Sequence, residues 1–218
     1  MTIWATRRKS EDAIANQLSA YREYVEGAFA RLDDVIQRFE RRQSELPFFR
    51  VCGITLVKAR NYALALYSLI LDGLGQEAGA VLRPLVEAYE VLVYFRLDPG
   101  KISEAVDRQL PPAGEIARII SGRFQDLRKY LNENASHFSF SPHSMTHLVD
   151  FRTLSWNVEQ PYMEDTLKTN LGVLFGMLAI VLIEGVNCLS VGGDTSARQL
   201  ADEIEAFRDQ GISFLQEP

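Results

Sequence analysis

The stretch Ser10–Glu45, SEDAIANQLSAYREYVEGAFARLDDVIQRFERRQSE, decides the fold. Ile14, Leu18, Tyr21, Val25, Ala28, Leu32, Val35 and Phe39 recur at alternating spacings of four and three. That spacing sets them on one stripe of an α-helix, an a/d seam. Ser10 is the N-cap candidate, because a serine oxygen can accept from a first-turn backbone N–H. Glu11 and Asp12 follow where the helix dipole favours acids. Pro47 disfavours helical geometry in the residue before it, so one helix is expected over 10–45. A seam this narrow needs one apolar partner face, from this chain or from a second copy.

Working outward, the same periodicity continues. Residues 48–74 are apolar nearly all round, as suits a central bundle helix, and Asp72-Gly-Leu-Gly75 ends them. A third helix is expected over 76–97, bent at Pro84 and closed by Asp98-Pro-Gly100. A short helix near 103–109 precedes Pro111-Pro112. A fifth then runs to about Leu131, with Ile116, Ile120, Phe124, Leu127 and Leu131 as its inner stripe. Asp150–Val158 reads as an extended segment or a short hairpin. Pro161 begins another helix over 163–189, and Asp194 or Thr195 caps a last one to Leu215. The expectation is an all-α, up-and-down helical bundle of five to seven helices with one irregular loop around 132–160. It forms a single helical domain over 1–218. Within it, 10–45 is the N-terminal helix, 48–190 the bundle core and 194–215 the C-terminal helix.

The chain has 218 residues, 47% of them hydrophobic, and a net charge of −6. One domain with a real core fits that length. The acidic balance argues against holding nucleic acid by bulk charge. Cys52 and Cys188 each lie in an apolar helical stretch and read as buried, reduced thiols. No secretory signal is expected from the first residues, so a cytoplasmic location is the default. Thr169–Ile183 carries no charge. It is shorter than the roughly twenty residues a span needs, so a buried helix is expected and no membrane partner.

All three histidines, His137, His143 and His147, fall in the irregular loop. Histidine titrates near neutrality and serves as acid, base or metal ligand. His143 and His147 are four apart, which on a helix would set two metal ligands on one face. Ordinary turn roles compete with that reading, and no cofactor is expected. On the third helix Arg83, Glu87, Glu90 and Tyr94 form one polar stripe. It reads either as a solvated face or as the wall of a ligand- or anion-binding cleft, with Arg83 as a guanidinium clamp. Glu184 stands alone in the most apolar helix and needs a cation, Arg83 or Arg60. Gly172 and Gly176 on that helix allow close helix approach, and with the seam they suggest a homodimer. Arg118, Arg123, Arg128 and Lys129 bring basic charge toward His137. That suits a solvated face or, with a histidine acid/base, an RNA-cleaving site.

Two stretches carry a family resemblance: Leu82-Arg-Pro-Leu-Val-Glu87, and Tyr130-Leu-Asn-Glu-Asn-Ala-Ser-His137. Their order resembles uncharacterised bacterial helical-bundle families of the HEPN-like superfamily, over roughly residues 48–190. The resemblance implies an up-and-down bundle, frequent dimers and, in active members, metal-independent RNA cleavage from an Arg-x(4–6)-His motif. Here Asn132 stands at that spacing from His137 in place of the arginine, and Arg128 is farther away. The expected function is a binding or regulatory domain in a toxin–antitoxin or defence setting, with RNA or protein as partner. The alternatives are a ribonuclease using His137 with Arg128 and Asn132, and a metal-binding bundle using His143 and His147.

Overall fold

Seven of the eight seam residues are buried, and Tyr21 packs against them. The partner face belongs to the chain itself. The computed structural model describes residues 4–135, 145, 148–158 and 160–216. Among these it forms nine helices, above the five to seven expected: α1 (Ala5–Asn16), α2 (Ser19–Arg42), α3 (Pro47–Leu71), α4 (Gly75–Leu97), α5 (Ile102–Val106), α6 (Ala113–Ile119), α7 (Gln125–Asn134), α8 (Glu164–Val191) and α9 (Ala197–Gln216). A 3-10 turn at Pro99–Lys101 leads into α5. A two-stranded antiparallel hairpin pairs β1 (Val149–Asp150) with β2 (Ser155–Trp156).

The N-terminal helix is broken where continuity was expected. Leu18 N reaches back five residues to Ala13 O at 2.8 Å, and α1 ends there. The cause lies far along the chain. Arg7 grips both carboxylate oxygens of Asp72, at 2.6 and 2.7 Å, and also Ser68. Thr6 Oγ1 donates to Gln160 O at 2.6 Å. The break lets α1 reach the end of α3 while Leu18 stays inside. Ser10 is consequently a buried residue in the middle of α1, not an N-cap.

Helices α2, α3, α4 and α8 make the core. The short links at 43–46 and 72–74 reverse the chain, so α2, α3 and α4 run up, down and up. Tyr24 meets Phe175 and Val35 meets Gly185, so α8 runs parallel to α2. Gly75 near Asn170 and Arg96 on Glu184 make it parallel to α4 as well. Two parallel helices need a long return, and residues 98–163, with α5, α6 and α7, supply it. A Cβ at Gly185 would stand 3.1 Å from Leu56 and 3.3 Å from Val35, so glycine is what lets α8 approach both neighbours. Helix α9 packs antiparallel on α8, with Leu215 against Gly172 and Gly211 against Phe175. Of the features that suggested a second copy, the seam and Gly172 are filled from within the chain, while among the described residues nothing stands within 4 Å of a Cβ at Gly176.

The uncharged run at 169–183 belongs to a 28-residue helix, longer than the run alone suggested. Helices α3 and α8 are each long and apolar enough to cross a membrane by length and composition. Helix α8 is packed between α2, α3, α4 and α9. Its buried Glu184 pairs with Arg96, not with Arg83 or Arg60, because parallel packing brings the two C-terminal halves together. Arg60 pairs with Asp33 instead. Cys52 on α3 and Cys188 on α8 are free, buried thiols, and Cys188 donates to Leu92 O at 3.5 Å. Contact with Cys52 and burial push the Cys188 thiol pKa up, which keeps it protonated.

Candidate functional site

The polar stripe of α4 faces α7. Arg83, Glu87 and Glu90 stand at i, i+4 and i+7, one side of the helix, and Arg128 and Asn132 stand at i and i+4 on α7. Arg83 Nη1 donates to Asn132 Oδ1, and its Nε donates to Glu87 Oε1 at 3.1 Å. Arg128 Nη1 donates to Glu90 Oε2 and, at 3.0 Å, to Ala113 O at the start of α6. Its Nη2 lies 3.9 Å from Glu87 Oε1. Two guanidinium groups and two carboxylates therefore form one neutral cluster linking α4, α6 and α7.

The Glu90–Arg128 end of the cluster is largely dry, while Arg83 and Glu87 are partly exposed. Glu90 is 1% exposed and Arg128 8%. Glu90 Oε1 has no hydrogen-bond partner and stands 3.0 Å from where a Cβ on Gly122 would be. Burial pushes the Glu90 carboxyl above its ordinary value of 4.5; Arg128 pulls it back only in part, and Glu87 adds to the rise. The close approach also explains the chain at 120–124. The expected continuous helix to Leu131 is instead α6 and α7, separated by a turn with Ser121 at φ 51° and Gly122 lying on Glu90.

The structure brings together five of the residues that the sequence marked: Arg83, Glu87, Glu90, Arg128 and Asn132. It separates Tyr94 from them. The Tyr94 ring is buried, its hydroxyl donates to Glu104 Oε2 at 2.7 Å, and Lys101 sits over the ring at 5.2 Å. Tyr94 thus fastens α5 to α4. The stripe is not a solvated face; its polar groups are the contact between two helices. The basic run also disperses. Arg128 points inward, Arg123 lies over Tyr89 and Phe124, and Arg118 is largely exposed beside Glu115. His137, His143 and His147 lie outside the described residues, and so does the metal reading of the last two. Among the described residues no group of three metal-binding side chains occurs.

Sequence reasoning missed a cavity with an apolar body. It lies on the other side of α7, among α1, α4 and the start of α8, with a volume of about 470 Å³. Its lining comes from five separate segments, so no periodic signal marks it. Gly73 and Gly75 were visible only as helix-end residues, and Gly79 lay unmarked inside the expected third helix. Comparison with models of protein families, with curated proteins and with solved structures finds no match to the chain.

Proposed function

We propose that the chain is a helical binding domain of the HEPN-like sort, regulatory and not catalytic. The observation that carries this reading is the engagement of both marked arginines. A phosphate clamp needs guanidinium N–H groups turned toward an incoming anion. Arg128 is turned to Glu90 and Ala113 O, and Arg83 to Glu87 and Asn132. Opening the cluster to RNA would strand Glu90, a buried carboxylate, without its cation. The cluster serves better as a fixed base for the segment that follows α7, which carries all three histidines. A toxin–antitoxin or defence setting, with a protein partner, fits a regulatory bundle of this kind.

The test is incubation of the purified chain and its His137→Ala variant with single-stranded and structured RNA. The reading expects intact RNA with both. Cleavage by the parent that His137→Ala abolishes would overturn it in favour of the ribonuclease. A metal content of one per chain that is lost in His143→Ala would point instead to the metal-binding bundle.

A further inference from the structure

The cavity between α1, α4, α7 and α8 is built from both ends of the sequence. Arg7 on Asp72 and Thr6 on Gln160 O hold α1 across it as a floor. Gly73 takes φ +75°, and a Cβ there would stand 3.0 Å from Thr6 Cγ2. Gly75 and Gly79 keep the α4 wall low, since a Cβ at Gly79 would stand 3.0 Å from Ala135 Cβ. Ile70, Leu131 and Leu167 give the cavity an apolar body. Its polar groups are Ser10, Gln76, Tyr130, Asn134, Tyr162 and Asn170, with others of the same uncharged kind. Among the described residues no charged side chain lines it.

Two of those groups end in buried oxygens without a hydrogen-bond partner: Gln76 Oε1 and Tyr162 Oη. A buried polar atom left unpaired is costly, and native structures pair nearly all of them. The Gln76 amide is held in one orientation, because its Nε2 donates to Asn134 O at 2.5 Å and a carbonyl only accepts. Its Oε1 is therefore an acceptor awaiting a donor. The Tyr162 hydroxyl has a proton to give, and burial followed by the neighbouring Glu164 carboxylate pushes its pKa upward, so it stays protonated. Gln76 and Tyr162 both line the cavity, and a small movement at the lining would bring an acceptor and a donor to its surface, complementary to one common group, the neutral amide, which carries an N–H and a C=O.

From this geometry we infer that the cavity binds a small uncharged amide with an apolar body, its N–H on Gln76 Oε1 and its carbonyl on Tyr162 Oη. The inference rests on the reading of the chain as a binding domain, but its readout is separate. RNA cleavage reports on His137, and ligand titration reports on the cavity. Charged analogues are disfavoured because the described part of the lining holds no counter-ion for them, and desolvating a lone charge is unfavourable.

Three matched probes test it by titration of the full chain, followed by NMR: benzamide, benzoate and benzylamine. Thr166, an exposed lining residue near the start of α8, allows the cavity to be plugged by Thr166→Trp without touching the core. Tyr162→Phe removes only the hydroxyl. The expected result is benzamide binding with Kd on the order of 1 mM, as suits a fragment of that size. Binding should weaken about five- to tenfold in Tyr162→Phe, the loss of one hydrogen bond. It should vanish in Thr166→Trp, and the two charged probes should not bind. No benzamide binding to the parent, equal binding to Thr166→Trp, or equal binding of benzoate or benzylamine would each overturn the assignment.

Discussion

On its α4 side, helix α7 presents Arg128 and Asn132 to Arg83, Glu87 and Glu90, and each cation meets an anion. On its other side, Tyr130, Leu131 and Asn134 border a cavity in which two buried oxygens have no partner. The two faces use polar side chains for different ends. Where charges close on one another, the result is a clamp, and the open pocket of about 480 Å³ that Arg128 and Asn132 help to line meets groups already engaged. Where polar groups are uncharged and some stay unpaired, a cavity remains, and the binding role inferred above is placed there. Arginine and glutamate, which the sequence also marked as functional beside the histidines, turn out to join helices. The site is assigned to glutamine and tyrosine.

The sharpest way to break that contrast is to unpair the clamp. Glu90→Ala leaves the Arg128 guanidinium buried against Glu87 alone, and removing one partner of a buried pair costs about 3–5 kcal/mol. Urea unfolding measures this. Replacing both, with Arg128→Met and Glu90→Leu, should lose less than the sum of the single losses, by about 0.5–3 kcal/mol. Additive losses would mean that the two side chains act independently.

The floor of the cavity is the next target. Arg7→Ala removes charge-assisted bonds to Asp72 and Ser68 that are only partly shielded, for a cost of about 1–3 kcal/mol. It should also loosen α1, so limited proteolysis should cut near Gln17 sooner than in the parent. Unchanged cleavage would remove Arg7 from the account of the helix break.

A pH series sharpens the clamp further. The folded chain holds the Glu90 proton more tightly than the unfolded chain does, since its pKa lies above the ordinary 4.5. The contribution of Glu90 to stability is then greatest below that ordinary value. It falls as the pH rises through the raised folded value. Glutamine resembles the protonated side chain and does not titrate, so the stability of the parent relative to Glu90→Gln should fall as the pH is raised through that window. A rise of the parent relative to the variant would reverse the sign of the shift.

The smallest effect belongs to the open face. Tyr162→Phe deletes a hydroxyl that has no partner, so unfolding free energy should move by no more than about 0.5 kcal/mol while benzamide affinity falls. A large loss of stability would mean that the Tyr162 hydroxyl is hydrogen-bonded in the folded chain and is not free for a ligand.

How much of this was legible follows from range. The seam from Ile14 to Phe39 could be read because a helix repeats every 3.6 residues, and burial follows that repeat. The break at Gln17 could not, since it depends on Arg7 meeting Asp72, 65 positions away. Arg83 with Glu87 was legible as a pair four apart on one helix, whereas Arg128 and Asn132 were marked only singly, against His137. That these side chains face each other is a property of packing. The partner of Glu184 was misread for the same reason: its choice depends on α8 running parallel to α4, and sequence periodicity carries no direction. The cavity left no trace because its walls come from five segments with no common pattern.

The most direct test of the contrast between the faces is a residue-by-residue NMR map of the full chain titrated with benzamide. The account predicts that the amide signals of Gly75, Gln76, Gly79, Tyr162, Thr166 and Asn170 move together with saturation, while those of Arg83, Glu90 and Arg128 stay in place. Shifts centred on Arg83, Glu90 and Arg128, or no saturable shifts around the cavity, would contradict it.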